Sequence, residues 1–372
     1  MTDAPSRTPL YDWHAAHGGR MVDFAGWSMP VQYASIVAEH QATRTAAGLF
    51  DVSHMGRLRF DGPDAAALLD RIVTRNVAKL LPGQVRYALV TDERGGILDD
   101  VLVSRLSDAA GGSYYLLVVN AGNREKIVAW IEGRRPPDLD ATFQDVTAAW
   151  AMIAVQGPLA LALAQPFVEA DLAGLKYYTA AETRIQGHGG IVSRTGYTGE
   201  DGVELIVGAD AAARLWQALI DAGHDRGVVP AGLGCRDTLR LEAAMPLYGH
   251  ELNESVNPFQ AGLGFAVDLK KESLTGREAL LRFSQDAAQP RRVGLELAGK
   301  RIAREGCAVL HGAVRVGETT SGTFSPTLEK SIAMAYVAPS AAPPGTKLSV
   351  DVRGRSEPAT VVELPFYRRA GS

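Results

Sequence analysis

The chain has 372 residues, more than one hydrophobic core usually serves, so two or three domains are expected. A hydrophobic fraction of 46%, with no window near 18 uninterrupted apolar residues, excludes a membrane-spanning helix. The net charge of −4, with basic residues only in short pairs, excludes a nucleic-acid footprint.

Two lone cysteines, Cys235 and Cys307, leave no disulfide framework and no zinc or iron–sulfur spacing. The opening MTDAPSRTPL has no basic stretch followed by an apolar one, so a secretory signal is not expected, and a reducing cytoplasm is.

In chain order, DAAALLDRIV (64–73) reads as an amphipathic helix opened by Pro63 and Asp64. QVRYALVTD and ILDDVLVSRL flank Glu93-Arg94-Gly95-Gly96, a hairpin signal. SYYLLVVN reads as a strand and NREKIVAWIEG as a helix with Asn123 as its N-cap. AMIAVQGPLALALAQ repeats strand then helix, as do GVELIVG and AAARLWQALIDAG. Such mixing predicts an α+β region. GREALLRF closes it, QDAAQPRR reads as a linker, and six short strands follow, predicting a small β-barrel or sandwich. The expected division is residues 1–284 and 291–372.

Dinucleotide, P-loop, H-E-x-x-H and G-x-S-x-G motifs are absent from the sequence. His54 and His250 lie near acids without metal-ligand spacing and read as structural or surface residues.

Four segments are more polar than a scaffold needs. In GGILDDVLVSRL, strand alternation sends Asp99 and Asp100 to opposite faces, both apolar. At least one carboxylate is then part-buried, either as a capped acid pair or as a group facing a substrate amine. In SRTGYTGEDGVELIV, Glu204 lies opposite Val203, Leu205 and Val207. It can be a solvated strand acid or the acceptor for an N–H/NH₂ edge of a pterin or guanidinium. Tyr197 can stack on a ligand ring or plug the turn. In GLGCRDTLRLEAAM, Arg240 has Asp237 as a local partner, but no acid on the helix neutralises Arg236. Arg368 and Arg369 in PFYRR read as a basic tail or a contact across domains.

TPLYDWHAAHGGRMVDFAGWSMPVQY (8–33), LFDVSHMG (49–56), GGILDD (95–100), VVNAGNREK (118–126), VQGP (155–158), RTGYTGEDGVEL (194–205) and RDTLRLEA (236–243), taken together, resemble the glycine cleavage T-protein family. RRVGLEL (291–297) through TSGTFSPTLEKSIAMAYV (320–337) fits that family's closing domain, so the resemblance runs in order from residue 8 to about 368. It implies a multi-domain cloverleaf of mixed-sheet subdomains around a folate cavity, with a C-terminal β-barrel. It also implies transfer of the aminomethyl group on the lipoyl arm of H-protein to tetrahydrofolate, a co-substrate, yielding 5,10-methylenetetrahydrofolate, ammonia and dihydrolipoyl H-protein. No metal or flavin is implied. Position by position, Asp100 falls on the acid nearest the folate nitrogens and Glu204 on the pterin-binding acid. Arg236 falls on the substrate-binding arginine, and Tyr197 on the GYTGE tyrosine. Tyr87, Asn120 and Arg368 fall on further folate-contacting positions. The alternatives are a folate-dependent demethylase of a small methylated compound and a non-catalytic folate-binding iron–sulfur assembly factor, the latter marked by a cysteine motif; here Cys235 lies in GLGCRD, within the family's helix.

Overall fold

A computed structural model describes residues 4–107 and 111–369. Two sheets form the larger part, one antiparallel throughout and one mixed, in which Val228–Pro230 runs parallel to Ala47–Asp51. One has five strands, in the order Val85–Thr91, Ile97–Ser107, Ser113–Val119, Gly56–Asp61 and Thr142–Asp145. The other has six, in the order Ala180–Ile185, His188–Ser193, Gly202–Gly208, Trp150–Gln156, Ala47–Asp51 and Val228–Pro230. The chain passes between the sheets twice, from Asp51 to Gly56 and from Asp145 to Trp150, so the five-stranded sheet is one continuous segment inserted between the first strand of the six-stranded sheet and its remainder.

Helices cover the outer face of each sheet. Ala65–Ile72 and Arg124–Glu132 supply Leu68, Leu69, Ile72, Ile127 and Ile131 against Leu58, Phe60, Val101 and Val103. Ala209–Gly223 supplies Leu215, Trp216 and Leu219 against Ile153, Val155, Leu205 and Val207. The inner faces meet through Phe50, Leu116, Val118, Met152 and Ile206. Strand alternation produces this division: Val203, Leu205 and Val207 enter the outer core, whereas Glu204 points inward, as the sequence pattern required.

The hairpin expected at residues 93–96 is present, and its glycines have distinct reasons. Gly95 has φ +83°, and a Cβ on Gly96 would lie 2.1 Å from the Glu254 carbonyl oxygen. Asp92 Oδ1 accepts from the Arg94 and Gly96 amides at 2.9 and 2.8 Å, closing the turn. A register shift follows between Val90 and Thr91, just opposite the acid pair.

The six C-terminal strands close into a barrel: Arg291–Leu297, Lys330–Val337, Val314–Ser325, Ala308–His311, Lys347–Asp351 and Ser356–Val362. Buried charge fastens it to the rest. Glu242 accepts from Arg44 Nη2 at 2.7 Å and from the Ser325 and Thr327 hydroxyls of the barrel. Glu251 accepts from Arg240 Nη1 at 2.7 Å and from Thr320 and Ser321. No helix among the described residues is long and apolar enough to cross a membrane.

Candidate active site

Where the inner faces of the two sheets diverge, they leave a cavity of about 1110 Å³, walled also by the helix Leu233–Glu242 and by barrel residues Arg292, Thr320 and Ser321. A space of this size takes a large organic ligand, and its lining is mainly apolar with a few converging polar groups.

Asp100 projects into the cavity from the strand Ile97–Ser107. Its Oδ2 accepts from Tyr87 Oη at 3.1 Å and its Oδ1 from Asn120 Nδ2 at 2.8 Å. Tyr87 lies on the neighbouring strand, paired with Leu102, so the sheet itself sets this bond. Asp99 is fully buried and accepts three bonds: from the Asn120 amide N at 3.0 Å, Asn120 Nδ2 at 2.8 Å and Asn123 Nδ2 at 2.6 Å. Alternation therefore does not isolate the two acids, because one Asn120 side chain reaches both. Asn123 does not cap the helix Arg124–Glu132 with its side chain, contrary to expectation. Its amide serves Asp99 instead, since a buried carboxylate is the costlier group to leave unmatched.

Burial pushes the Asp100 carboxyl up, against the donors Tyr87 and Asn120 that hold it down. Burial and then the charge of Asp100 push Asp99 up likewise. Two adjacent buried carboxyls do not both ionise freely, so this pair stores and releases a proton more readily than surface acids do.

Glu204 is buried at the cavity wall on the strand Gly202–Gly208 and accepts from the Thr195 hydroxyl. Burial raises its pKa, while Thr195 and Arg236 pull the other way. The GYTGE turn is built from close approaches. Gly199 has φ +80°, and a Cβ on Gly196 would lie 2.0 Å from Gln156 Oε1. Tyr197 is thereby fixed with its hydroxyl donating to the Pro246 carbonyl and its ring 4.6 Å from the Arg236 guanidinium carbon. It plugs the turn, one of the two readings the sequence allowed, and its ring lines the cavity.

Arg240 pairs with Asp237 at 2.8 Å as expected and with Glu251. The Arg236 side chain, one turn earlier, has no ion pair or hydrogen bond among the described residues and lies against the Tyr197 ring. Burial draws its pKa down, opposed by Tyr197 and Glu204. A half-buried guanidinium left unpaired beside a cavity is set up for a ligand's acceptor groups.

Six of the seven singled-out residues, Tyr87, Asp100, Asn120, Tyr197, Glu204 and Arg236, thus line one cavity. Arg368 does not: it is exposed and reaches only its own chain's Leu364 carbonyl at 3.5 Å. Cys235 is buried in the inter-sheet core, and burial pushes its thiol far above the usual range, so it offers no thiolate.

Further lining residues carried no sequence signal of their own. Tyr178 adopts φ +61°, costly for an aromatic residue, and faces the cavity. Arg292, at the start of the barrel, donates to the Ala244 and Ala261 carbonyls at 2.9 Å each. Phe265 is 67% exposed at the rim, its ring 6.2 Å from that of Tyr87. His54, read from sequence as structural or superficial, is buried in the cavity wall.

Residues 10–271 match the GCVT N-terminal domain, and residues 291–368 match the glycine cleavage T-protein C-terminal barrel domain. An aminomethyltransferase of Rubrobacter xylanophilus is 51% identical over 98% of this chain and 94% of its own length. One from Streptomyces coelicolor is 48% identical over 98% of both chains. The crystal structure of glycine cleavage system aminomethyltransferase T from Bartonella henselae superposes with a TM-score of 0.89 at 33% identity, covering 97% of this chain and 98% of that one. This chain therefore belongs to the glycine cleavage T-protein family of aminomethyltransferases.

Proposed function

We propose that the cavity binds tetrahydrofolate as co-substrate and that the aminomethyl group is delivered to it on the lipoyl arm of H-protein, in the cytoplasm. The products are 5,10-methylenetetrahydrofolate, ammonia and dihydrolipoyl H-protein. On this reading residues 1–284 form the folate-binding region and the chain from residue 291 forms the closing barrel.

The observation that carries the reading is the convergence, from segments far apart in sequence, of Asp100, Glu204 and the unpaired Arg236 on one largely apolar cavity. A pterin offers a flat ring and an amino-pyrimidine edge of adjacent donors, which Glu204 can accept. Arg236, stacked on Tyr197, answers the acceptors of the same ligand. Asp100 is held by Tyr87 and Asn120 where a carboxylate can orient a folate nitrogen, take its proton and offset positive charge on the carbon being transferred. Asn120 has both amide protons engaged on the acid pair, so it acts as a positioning residue. Arg368 is left without a role.

Tetrahydrofolate binding tests the reading. Saturation at about 100-fold over Kd stabilises a folded protein by about 2.7 kcal/mol. A melting curve unmoved by millimolar tetrahydrofolate contradicts it.

A further inference from the structure

We infer that His54 is a second proton carrier of the transfer reaction, working beside Asp100 in the same cavity. This rests on the folate-dependent reading above and adds a residue to it.

Stoichiometry states the need. The donor's C–S and C–N bonds break, leaving their electron pairs on sulfur and nitrogen. Two new C–N bonds to the folate form, and the carbon keeps its oxidation level. The two folate N–H protons finish on the sulfur and on the departing nitrogen. Two protons move, and Asp100 can hold one at a time.

The other proton-accepting groups along the cavity are engaged. All three short donors around Asp99 are directed at its carboxylate. Glu204 accepts from Thr195 and Asp237 pairs with Arg240, while His250, whose Nδ1 makes no hydrogen bond, faces the carboxylate of Glu305 at 3.0 Å and has a side chain 41% exposed. His54 differs. Only 2% of it is exposed, its Nδ1 is sealed without a partner, and neither ring nitrogen has a hydrogen bond among the described residues. Nε2 is left as the nitrogen able to serve the cavity. A buried polar group without a partner costs free energy that an apolar side chain would not, so packing alone does not account for an imidazole here.

The surroundings fit a carrier that does not keep its proton. Phe24 meets the ring edge-on at 5.6 Å between centroids. The charged groups around it are Asp51, Arg236 and Arg57. Asp51 is held by His14 at 2.9 Å and by Thr8 at 2.6 Å, and its Oδ1 accepts the Ser53 amide at 2.9 Å, fixing the turn that carries His54. Burial first, then Arg236 and Arg57, push the imidazole down to about 4 against the pull of Asp51. Such a ring is neutral at pH 7. An alkylated folate nitrogen bearing a proton is acid enough to pass it to a weak base, and a thiolate is basic enough to remove it again.

The test uses the full chain with tetrahydrofolate and aminomethylated H-protein. His54→Gln, neutral and polar but unable to take up a proton, should keep tetrahydrofolate affinity within about threefold and slow ammonia release about 10²-fold or more. In His54→Ala, added free imidazole should restore part of the rate, which a packing role does not predict. Turnover of His54→Gln within threefold of wild type overturns the proposal. So does a loss of rate matched by an equal loss of folate affinity without imidazole rescue, which makes His54 a packing or binding residue. Wild-type protein that does not bind tetrahydrofolate contradicts the folate reading itself, independently of His54.

Discussion

One amide nitrogen of Asn120 lies 2.8 Å from Asp100 Oδ1, and it lies the same distance from an oxygen of Asp99. The two acids are therefore linked through a neutral donor that favours their ionised forms. Asn120→Ala removes it. Both carboxyls are already raised by burial, and losing the donor raises them further. A buried hydrogen bond to charge is worth about 1.5–3 kcal/mol, or roughly one to two pH units. The acid limb of the kcat–pH profile should move to higher pH by about one unit or more, with the limb of His54→Gln as comparison.

Glu204→Gln places an amide donor against the donors of a pterin edge. Tetrahydrofolate affinity should fall by about 1.5–3 kcal/mol, close to tenfold to a hundredfold in Kd. Arg236→Ala should weaken binding without destabilising the apo protein, because no protein acid loses its partner. Titration of both variants with tetrahydrofolate decides this, and wild-type affinity in Glu204→Gln makes that acid a mere wall residue.

Glu242 joins the barrel to the sheets, and its removal should be a stability effect. Burial alone would raise its pKa, but bonds from His40 and Ser325 and the charge of Arg44 outweigh it and hold the carboxyl at about 2. The sign follows from that depression: the stabilisation is present above the unfolded carboxyl range and is lost as pH falls toward 2. Glu242→Ala leaves Arg44 with Glu200 as its remaining acid partner, takes the buried acceptor from His40, Ser325 and Thr327, and should cost about 3 kcal/mol at neutral pH. Chemical denaturation at pH 7 and pH 3 measures both, and the variant should lose less than wild type on acidification.

Much of the architecture was legible because it rests on local pattern. The strand alternation around Glu204, the turn at Gly95-Gly96 and the six closing strands each follow from periods and turn residues. Arg236 was legible for a similar reason, since the absence of an acid at helical spacing is visible in one line of sequence. Asn120 and Asn123 were not read as braces for Asp99. Their bonds to it span 21 and 24 residues, and a helix start offered a cheaper local explanation for Asn123. His54 was read as structural or superficial, and its place in the cavity wall was not legible because Phe24 and Arg236, which face it in space, are remote in sequence. Arg292 carries no signal in the sequence, as it enters the cavity wall only once the barrel docks.

The role of Asp100 is tested most directly by measuring tetrahydrofolate affinity and folate-dependent ammonia release on the same preparation of Asp100→Asn. The substitution keeps size and one acceptor while removing the charge. If that charge acts mainly as the transition state forms, Kd should stay within about fivefold while kcat falls roughly 10²-fold or more, about 2.7 kcal/mol. Asp99→Asn serves as control: an amide turned against three donors should cost stability, about 1–3 kcal/mol, with kcat of the folded protein within a few-fold of wild type. Undiminished ammonia release by Asp100→Asn, or the loss appearing in Asp99→Asn instead, contradicts the assignment of the reacting carboxylate.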